Sequence, residues 1–300
     1  MSVQKTDRLQ AGAPATRPPT LFVSDLDGTL LGSDSKISRR SVAMLNESIY
    51  SGTLFSVATA RTPATVGRLL EDVDCRIPLI VMTGAAIWDR RANRYVHACF
   101  HRPDTARRLL ATYREHGLST FIYTLGEDNI IHIYHTGGLS EAERKFMDER
   151  ADTPYKKFHI PEDGCSQIPE ECLKRVLLFY SMRPTAEVAP VHDAIKDCGD
   201  LRAVFYHDIF GEEIAIMEVF SPEASKANAV RLLADMVGAE RIVAYGDNVN
   251  DLPILEIADD AVAVENAVEE VKTVAHRVIG PNTEDSVARD IKNQQKNLHN

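Results

Sequence analysis

Leu21-Phe22-Val23-Ser24-Asp25-Leu26-Asp27-Gly28-Thr29-Leu30 is the stretch on which the reading of this 300-residue chain turns. It opens with a continuous apolar run, the pattern of a strand buried on both faces, and breaks into two aspartates two residues apart. Downstream, Ser38 is placed to cap a helix carrying Val42, Leu45 and Ile49, with Gly52 as its stop. A second strand, Leu54 to Ala58, ends at Thr59, and Thr62-Pro63 supplies a cap and a first-turn proline for another helix. A third strand, Leu79 to Met82, ends at Thr83-Gly84. Strand and helix in alternation predict a parallel sheet with crossover helices, an α/β Rossmann-like core.

The same grammar returns near the C-terminus. Ser225 to about Val237 reads as a helix stopped by Gly238, and the strand Ile242 to Tyr245 ends in Gly246-Asp247. Asp251-Leu252-Pro253 opens a short helix, and Ala261–Val264 and Val278-Ile279 supply further strands. Ala267 to Ala275 reads as an amphipathic core helix, and the polar end of the chain is expected to fray after Ile291.

Residues 87 to 221 are written differently. Tyr95–Ala98, Asp104–His116, Thr120–Leu125 and Ile130–His135 read as strand, helix, strand, strand. Arg175–Tyr180, Pro184–Cys198, Leu201–His207 and Ile214–Phe220 repeat that order. A β-α-β-β unit used twice predicts an inserted α+β cap, an antiparallel sheet faced by helices, splitting the core into 19–86 and 222–300. Residues 1–18, mixing Ala, Pro and polar residues without an apolar stretch, are expected to be a disordered leader.

Composition narrows the function classes. With 34 Lys and Arg against 44 Asp and Glu, the net charge of −10 argues against a nucleic-acid surface, which needs a basic excess. It leaves a small anionic substrate open, since one lysine and a metal reverse the field inside a single pocket. The five cysteines are scattered without a CxxC pair, pointing to neither disulfides nor a zinc knuckle, and a reducing cytoplasm is expected. No apolar run approaches a membrane span, so no membrane is expected, and no obligatory protein partner is evident from the sequence.

In an open parallel sheet, ligands bind beyond the carboxyl ends of the strands. Asp25, Asp27, Thr59 and Asp247 each stand where a core strand is expected to end. A bare DxD is most often a polar turn, Thr59 alone is an ordinary strand end, and Lys226 alone is an ordinary helix residue. Gly246-Asp247-Asn248-Val249-Asn250-Asp251 alone reads equally well as a capped turn. Together and in this order, Asp25-Leu26-Asp27-Gly28-Thr29, Thr59, Lys226 and Gly246–Asp251 resemble the four motifs of the haloacid dehalogenase-like phosphotransferases. The insertion between the second and third motifs resembles the Cof-type branch.

That resemblance implies a Mg²⁺-dependent hydrolase of small phosphorylated metabolites, with sugar phosphates the branch's commonest theme. It implies Asp25 as the nucleophile that forms an aspartyl phosphate. The Asp25 carboxylate, the Asp27 backbone carbonyl and the Asp247 carboxylate are the implied metal ligands, with Asn250 and Asp251 shaping that shell or orienting Lys226. Asp27 is implied as the acid that protonates the leaving alkoxide and the base that later activates water, a role suited to phosphatase rather than dehalogenase chemistry. Thr59 and Lys226 would meet the charge of the transferring group, with Leu26, Asp27, Ala60 and Asn250 around the phosphate.

The chain departs from the branch's usual Thr-Gly-Arg at Thr59-Ala60-Arg61, and from its Asn-Gly-Ala at Thr83-Gly84-Ala85. The added methyl at Ala60 is tolerable unless φ is positive there. Eight of the ten histidines fall in the insertion; His132 and His135, three apart on a strand, point to opposite faces and read as packing residues rather than a metal pair. Two other readings remain: a sugar phosphomutase, which needs cap cations such as Arg102, Arg107, Arg108, Lys156, Lys157, Lys174 and Arg175 for a second phosphate, and a non-catalytic phospho-ligand sensor.

Overall fold

A computed structural model describes residues 18–150, 153–161, 166, 168–207 and 213–299, so the expected leader lies outside the described residues but for Pro18. The opening run forms β1 (Thr20–Ser24), followed by α1 (Arg39–Tyr50), β2 (Leu54–Val57), α2 (Pro63–Leu69), β3 (Leu79–Val81), β4 (Ala86–Asp89) and β5 (Arg94–Ala98). Ser38 caps α1 by accepting from the Ser41 N–H, as its position predicts.

Then come α3 (Pro103–Glu115), β6 (Phe121–Leu125), β7 (Ile131–His135), α4 (Glu141–Asp148), β8 (Lys156–Phe158), β9 (Val176–Pro184), α5 (Thr185–Ile195), β10 (Arg202–His207) and β11 (Ile214–Phe220). The chain closes with α6 (Lys226–Val237), β12 (Arg241–Gly246), α7 (Leu252–Leu255), β13 (Asp260–Val264), α8 (Glu269–Val274), β14 (Arg277–Ile279) and α9 (Ser286–His299).

The core sheet has the order β14-β13-β12-β1-β2, every pairing parallel. From β1 the chain steps outward through β2, and it returns on the other side through β12, β13 and β14. The order therefore reverses between β1 and β12, where loops diverge and leave a crevice. Leu21, Phe22 and Val23 are buried on both faces of this sheet, and a parallel bridge from Ala58 to Ile80 carries it on to β3.

The insertion builds a six-stranded sheet, β10-β11-β9-β6-β7-β8, antiparallel except for β7 with β8. Side chains alternate across it. Ile122, Phe179, Met217 and Val219 pack with Leu109 of α3 and Val191 of α5. Tyr123, Ile133, Leu178 and Phe220 face the other way and join the hydrophobic cluster of the core sheet.

Two expectations are corrected. Tyr95–Ala98, read as the first strand of the inserted unit, pairs with β4 as β5, and β4 pairs with β3 on the core side; the division expected at 86/87 falls inside β4. The first β-α-β-β unit thus gives only β6 and β7 to the six-stranded sheet. The chain end, expected to fray after Ile291, continues as α9. There Lys292 pairs with Glu47 of α1 at 2.6 Å, and Gln294 donates to Asp290 at 2.9 Å.

Candidate active site

β1 and β12 deliver the site's first two groups. The Asp25 N–H donates to the Tyr245 carbonyl at 3.0 Å, so the parallel ladder still holds the residue that leaves β1. Asp247 directly follows β12. From α6, whose first residue is Lys226, the ammonium reaches into the same crevice and donates to Asp25 Oδ1 and Asp251 Oδ1, both at 2.7 Å. Lys226 and Asp25 are buried and Asp251 has no exposed surface. The second oxygen of Asp251 accepts from the N–H groups of Asp247 (3.1 Å) and Asn248 (3.3 Å). Asp251 thus spends one oxygen on Lys226 and the other on two backbone N–H groups.

Asp247 is aimed by Thr29, whose hydroxyl donates to its Oδ1 at 2.6 Å. Gly28 makes room: at φ +77 it occupies the left-handed region, and a Cβ there would lie 2.3 Å from Asp247 Oδ2. Asn266 donates to the Gly28 carbonyl at 2.7 Å and pins the turn. Neither Thr29 nor Asn266 was singled out from the sequence for these tasks; Thr29 sits in the opening motif, whereas nothing local marks Asn266.

Asp25, Asp247 and Asp251 each offer an oxygen within 4.8 Å of the others. Three buried or half-buried carboxylates share one ammonium. Burial raises the pKa of Asp25 above the usual carboxylate range, with repulsion from Asp251 and Asp247 adding to it and Lys226 opposing it. Burial and Asp251 likewise raise Asp247, against the Thr29 hydrogen bond. Burial disfavours charged Lys226, but Asp25 and Asp251 more than restore it and hold it protonated. An all-oxygen donor set short of positive charge, with no room for a side chain at Gly28, fits a hard divalent cation.

Thr59 lies at the end of β2, buried. Its Oγ1 accepts from the Arg61 N–H at 3.1 Å, which leaves the hydroxyl proton free to be donated elsewhere. Ala60 is absent from the positive-φ residues, so its methyl meets no backbone penalty. Met82 and Thr83 are unusual non-glycine residues at φ +52 and +56. A β-branched threonine is strained there, by about 1–3 kcal/mol, where asparagine would be easier. The turn they form carries Gly84, where a Cβ would collide with the Ser225 carbonyl at 2.2 Å, beside Lys226.

The structure therefore brings Asp25, Lys226, Asp247 and Asp251 into direct contact or close approach, with Leu26 buried in the turn and Thr59 on the same rim. Asn250 is exposed on the turn that carries Asp251. The carboxylate of Asp27 is not in the cluster but on Arg61, a partner the sequence did not reveal. Of the cap cations, Arg107 pairs with Asp104 and Glu170, Arg108 with Asp200, and Arg175 with the carbonyls of Leu125 and Gly126. His132 stacks on His159 and lies within hydrogen-bond distance of it and of Asp128, and His135 is buried against Phe121 with Glu143 beside its ring.

The sequence profile described as haloacid dehalogenase-like hydrolase matches residues 22–291, and the chain belongs to that family. The class so defined is a phosphoric monoester hydrolase. Among relatives, the 5-amino-6-(5-phospho-D-ribitylamino)uracil phosphatase YwtE of Bacillus subtilis is 26% identical over 289 residues, covering 88% of this chain and 94% of its own. The pyridoxal phosphate phosphatase YbhA of Escherichia coli is 24% identical over 89% of this chain and 95% of its own. A haloacid dehalogenase-like hydrolase from Bacteroides thetaiotaomicron shares the fold with a TM-score of 0.71 at 21% identity, over 92% of this chain and 99% of that one.

Proposed function

We propose that this protein is a Mg²⁺-dependent phosphatase of small phosphorylated metabolites, sugar phosphates foremost, working through a phosphoryl group carried on Asp25. The observation that carries the reading is the buried Asp25–Lys226–Asp251 chain with Asp247 beside it, at the point where the strand order reverses. The named relatives, one acting on a phospho-ribityl compound and one on pyridoxal phosphate, support small phosphorylated alcohols as substrates.

Asp25 attacks phosphorus, the ester oxygen leaves, and water then attacks the phosphoryl group on Asp25 to release inorganic phosphate. Lys226 stays charged throughout, offsets the growing negative charge and, held by Asp251, cannot swing away. Thr59 donates a hydrogen bond from its hydroxyl to a phosphoryl oxygen. Asp27 gives a proton to the leaving oxygen and takes one from the attacking water. The carboxylates of Asp25 and Asp247, with the Asp27 backbone carbonyl, would hold the divalent cation. When bound, that cation screens the nucleophile from the phosphate dianion and polarises the phosphoryl oxygen. Asp251 orients Lys226. Cys75, Cys99, Cys172 and Cys198 are free thiols, in line with a cytoplasmic setting.

Phosphate release from p-nitrophenyl phosphate and a panel of sugar and sugar-alcohol phosphates tests this. Activity is expected to vanish on chelation and return with Mg²⁺, with the sugar-type esters giving the higher kcat/KM. No Mg²⁺-dependent release from any of these esters would overturn the reading.

A further inference from the structure

Asp27 is the motif residue that the cluster does not hold. Its side chain is 50% exposed, and among the described residues the hydrogen bonds to its carboxylate come from one side chain. Arg61 donates from Nε to Oδ2 at 2.7 Å and from Nη2 to Oδ1 at 2.6 Å. Such a two-pronged pair fixes the plane of a carboxylate as well as its place, which a point charge cannot do. Surface pairs contribute little to stability, so this geometry has another use.

Arg61 is itself braced. Its N–H donates to Thr59 Oγ1, and its carbonyl accepts from the Met82 N–H at 3.0 Å. The Thr83 N–H donates to the Thr59 carbonyl at 3.0 Å. The two positive-φ residues, Met82 and Thr83, thus hold the strand-end loop that carries both Thr59 and Arg61. Strain persists only where the surroundings over-determine it, and here it is spent next to the reacting groups. Asp27, by contrast, is half exposed, and Arg61 supplies the hydrogen bonds that hold its carboxylate.

We propose that Arg61 is the positioning residue of Asp27, setting the plane and place of the carboxyl group that exchanges protons with the leaving oxygen and the attacking water. This rests on the reading of Asp27 as the proton-transfer group. Both carboxyl oxygens stay on Arg61, and the proton that is exchanged sits on the lone pair of one of them that the fork leaves free. The proton passes from Asp27 to the ester oxygen as the P–O bond breaks, and an equivalent proton returns from water in the second step. Arg61 keeps its own protons.

The test is the single-turnover rate of alcohol release from two esters, glycerol 3-phosphate and p-nitrophenyl phosphate, in wild type, Arg61→Ala, Arg61→Lys, Asp27→Asn and the Arg61→Ala/Asp27→Asn double variant. Glycerol needs a proton to leave; p-nitrophenolate does not. Arg61→Ala is expected to lower the glycerol rate about 10²-fold. The p-nitrophenyl rate and the apparent substrate affinity should change little. Arg61→Lys, with charge but no fork, should recover only part of the loss, and Arg61→Ala should cost nothing further in the Asp27→Asn background. Equal losses on both esters, weakened affinity, or additive losses in the double variant would overturn the proposal and put Arg61 on the substrate itself. Asp27→Asn alone separates the two levels: if it spares p-nitrophenyl phosphate while Arg61→Ala does not, only this inference fails. If it slows both esters alike, the reading of Asp27 falls and takes this inference with it.

Discussion

Asp25→Asn is expected to reduce kcat by at least about 10⁴-fold, the scale of loss when a covalent nucleophile is removed. The asparagine keeps the shape of the side chain and can still accept from Lys226 at the 2.7 Å position. It also removes one of three mutually repelling carboxylates, the one that burial and its neighbours already push towards protonation. The melting temperature should therefore hold or rise while turnover disappears. Steady-state rates and a thermal melt on the same preparation check both halves. A variant that retains turnover, or one that loses activity only because it unfolds, would count against Asp25 as the attacking group.

Lys226→Met carries the second large effect, on stability as well as rate. The Lys226 side chain is 1% exposed, and its ammonium bridges Asp25 and Asp251, themselves buried. Methionine fills much of the same volume but leaves two carboxylates facing each other without a counter-charge. Removing one partner of a buried ion pair costs about 3–5 kcal/mol, because the remaining charge stays buried and unpaired. Loss of the group that meets the phosphoryl charge is expected to lower kcat by about 10²–10³-fold. Denaturant melts with and without Mg²⁺ should show the deficit narrowing when the cation is present. An unchanged melt would mean that Lys226 is not the counter-charge of this cluster.

What the sequence disclosed, and what it withheld, follows from the range of each signal. β1 was legible because Leu21-Phe22-Val23 is apolar without alternation, and the following aspartate marks its end. The same local logic located the ends of β2 and β12, and with them Thr59 and Asp247. Parallel order then brought these groups to one edge of the sheet. Strand partners are not written locally, so Tyr95–Ala98 read correctly as a strand yet was assigned to the wrong sheet. α9 outran its apolar stripe because Lys292 and Gln294 find partners on α1 and within α9 itself, contacts that polarity alone does not advertise.

The site shows the same division. Asp25, Lys226 and Asp247 were legible by type and order. The double duty of Asp251 was open until its two oxygens were seen to serve Lys226 on one side and two backbone N–H groups on the other. The Asp27–Arg61 pair spans 34 residues and depends on an arginine rotamer. The strained turn at Met82 and Thr83 was hidden because neither residue type favours positive φ.

The most direct test of the whole account is to find the phosphoryl group on the protein. Asp27→Asn enzyme, loaded with Mg²⁺ and p-nitrophenyl phosphate, should complete the first step and stall before water attacks. Acid quenching followed by peptide mass spectrometry is expected to locate one phosphoryl group on the peptide carrying Asp25, formed with the burst of p-nitrophenolate. A burst with the phosphoryl group on another residue, or steady turnover with none retained on the protein, would contradict it.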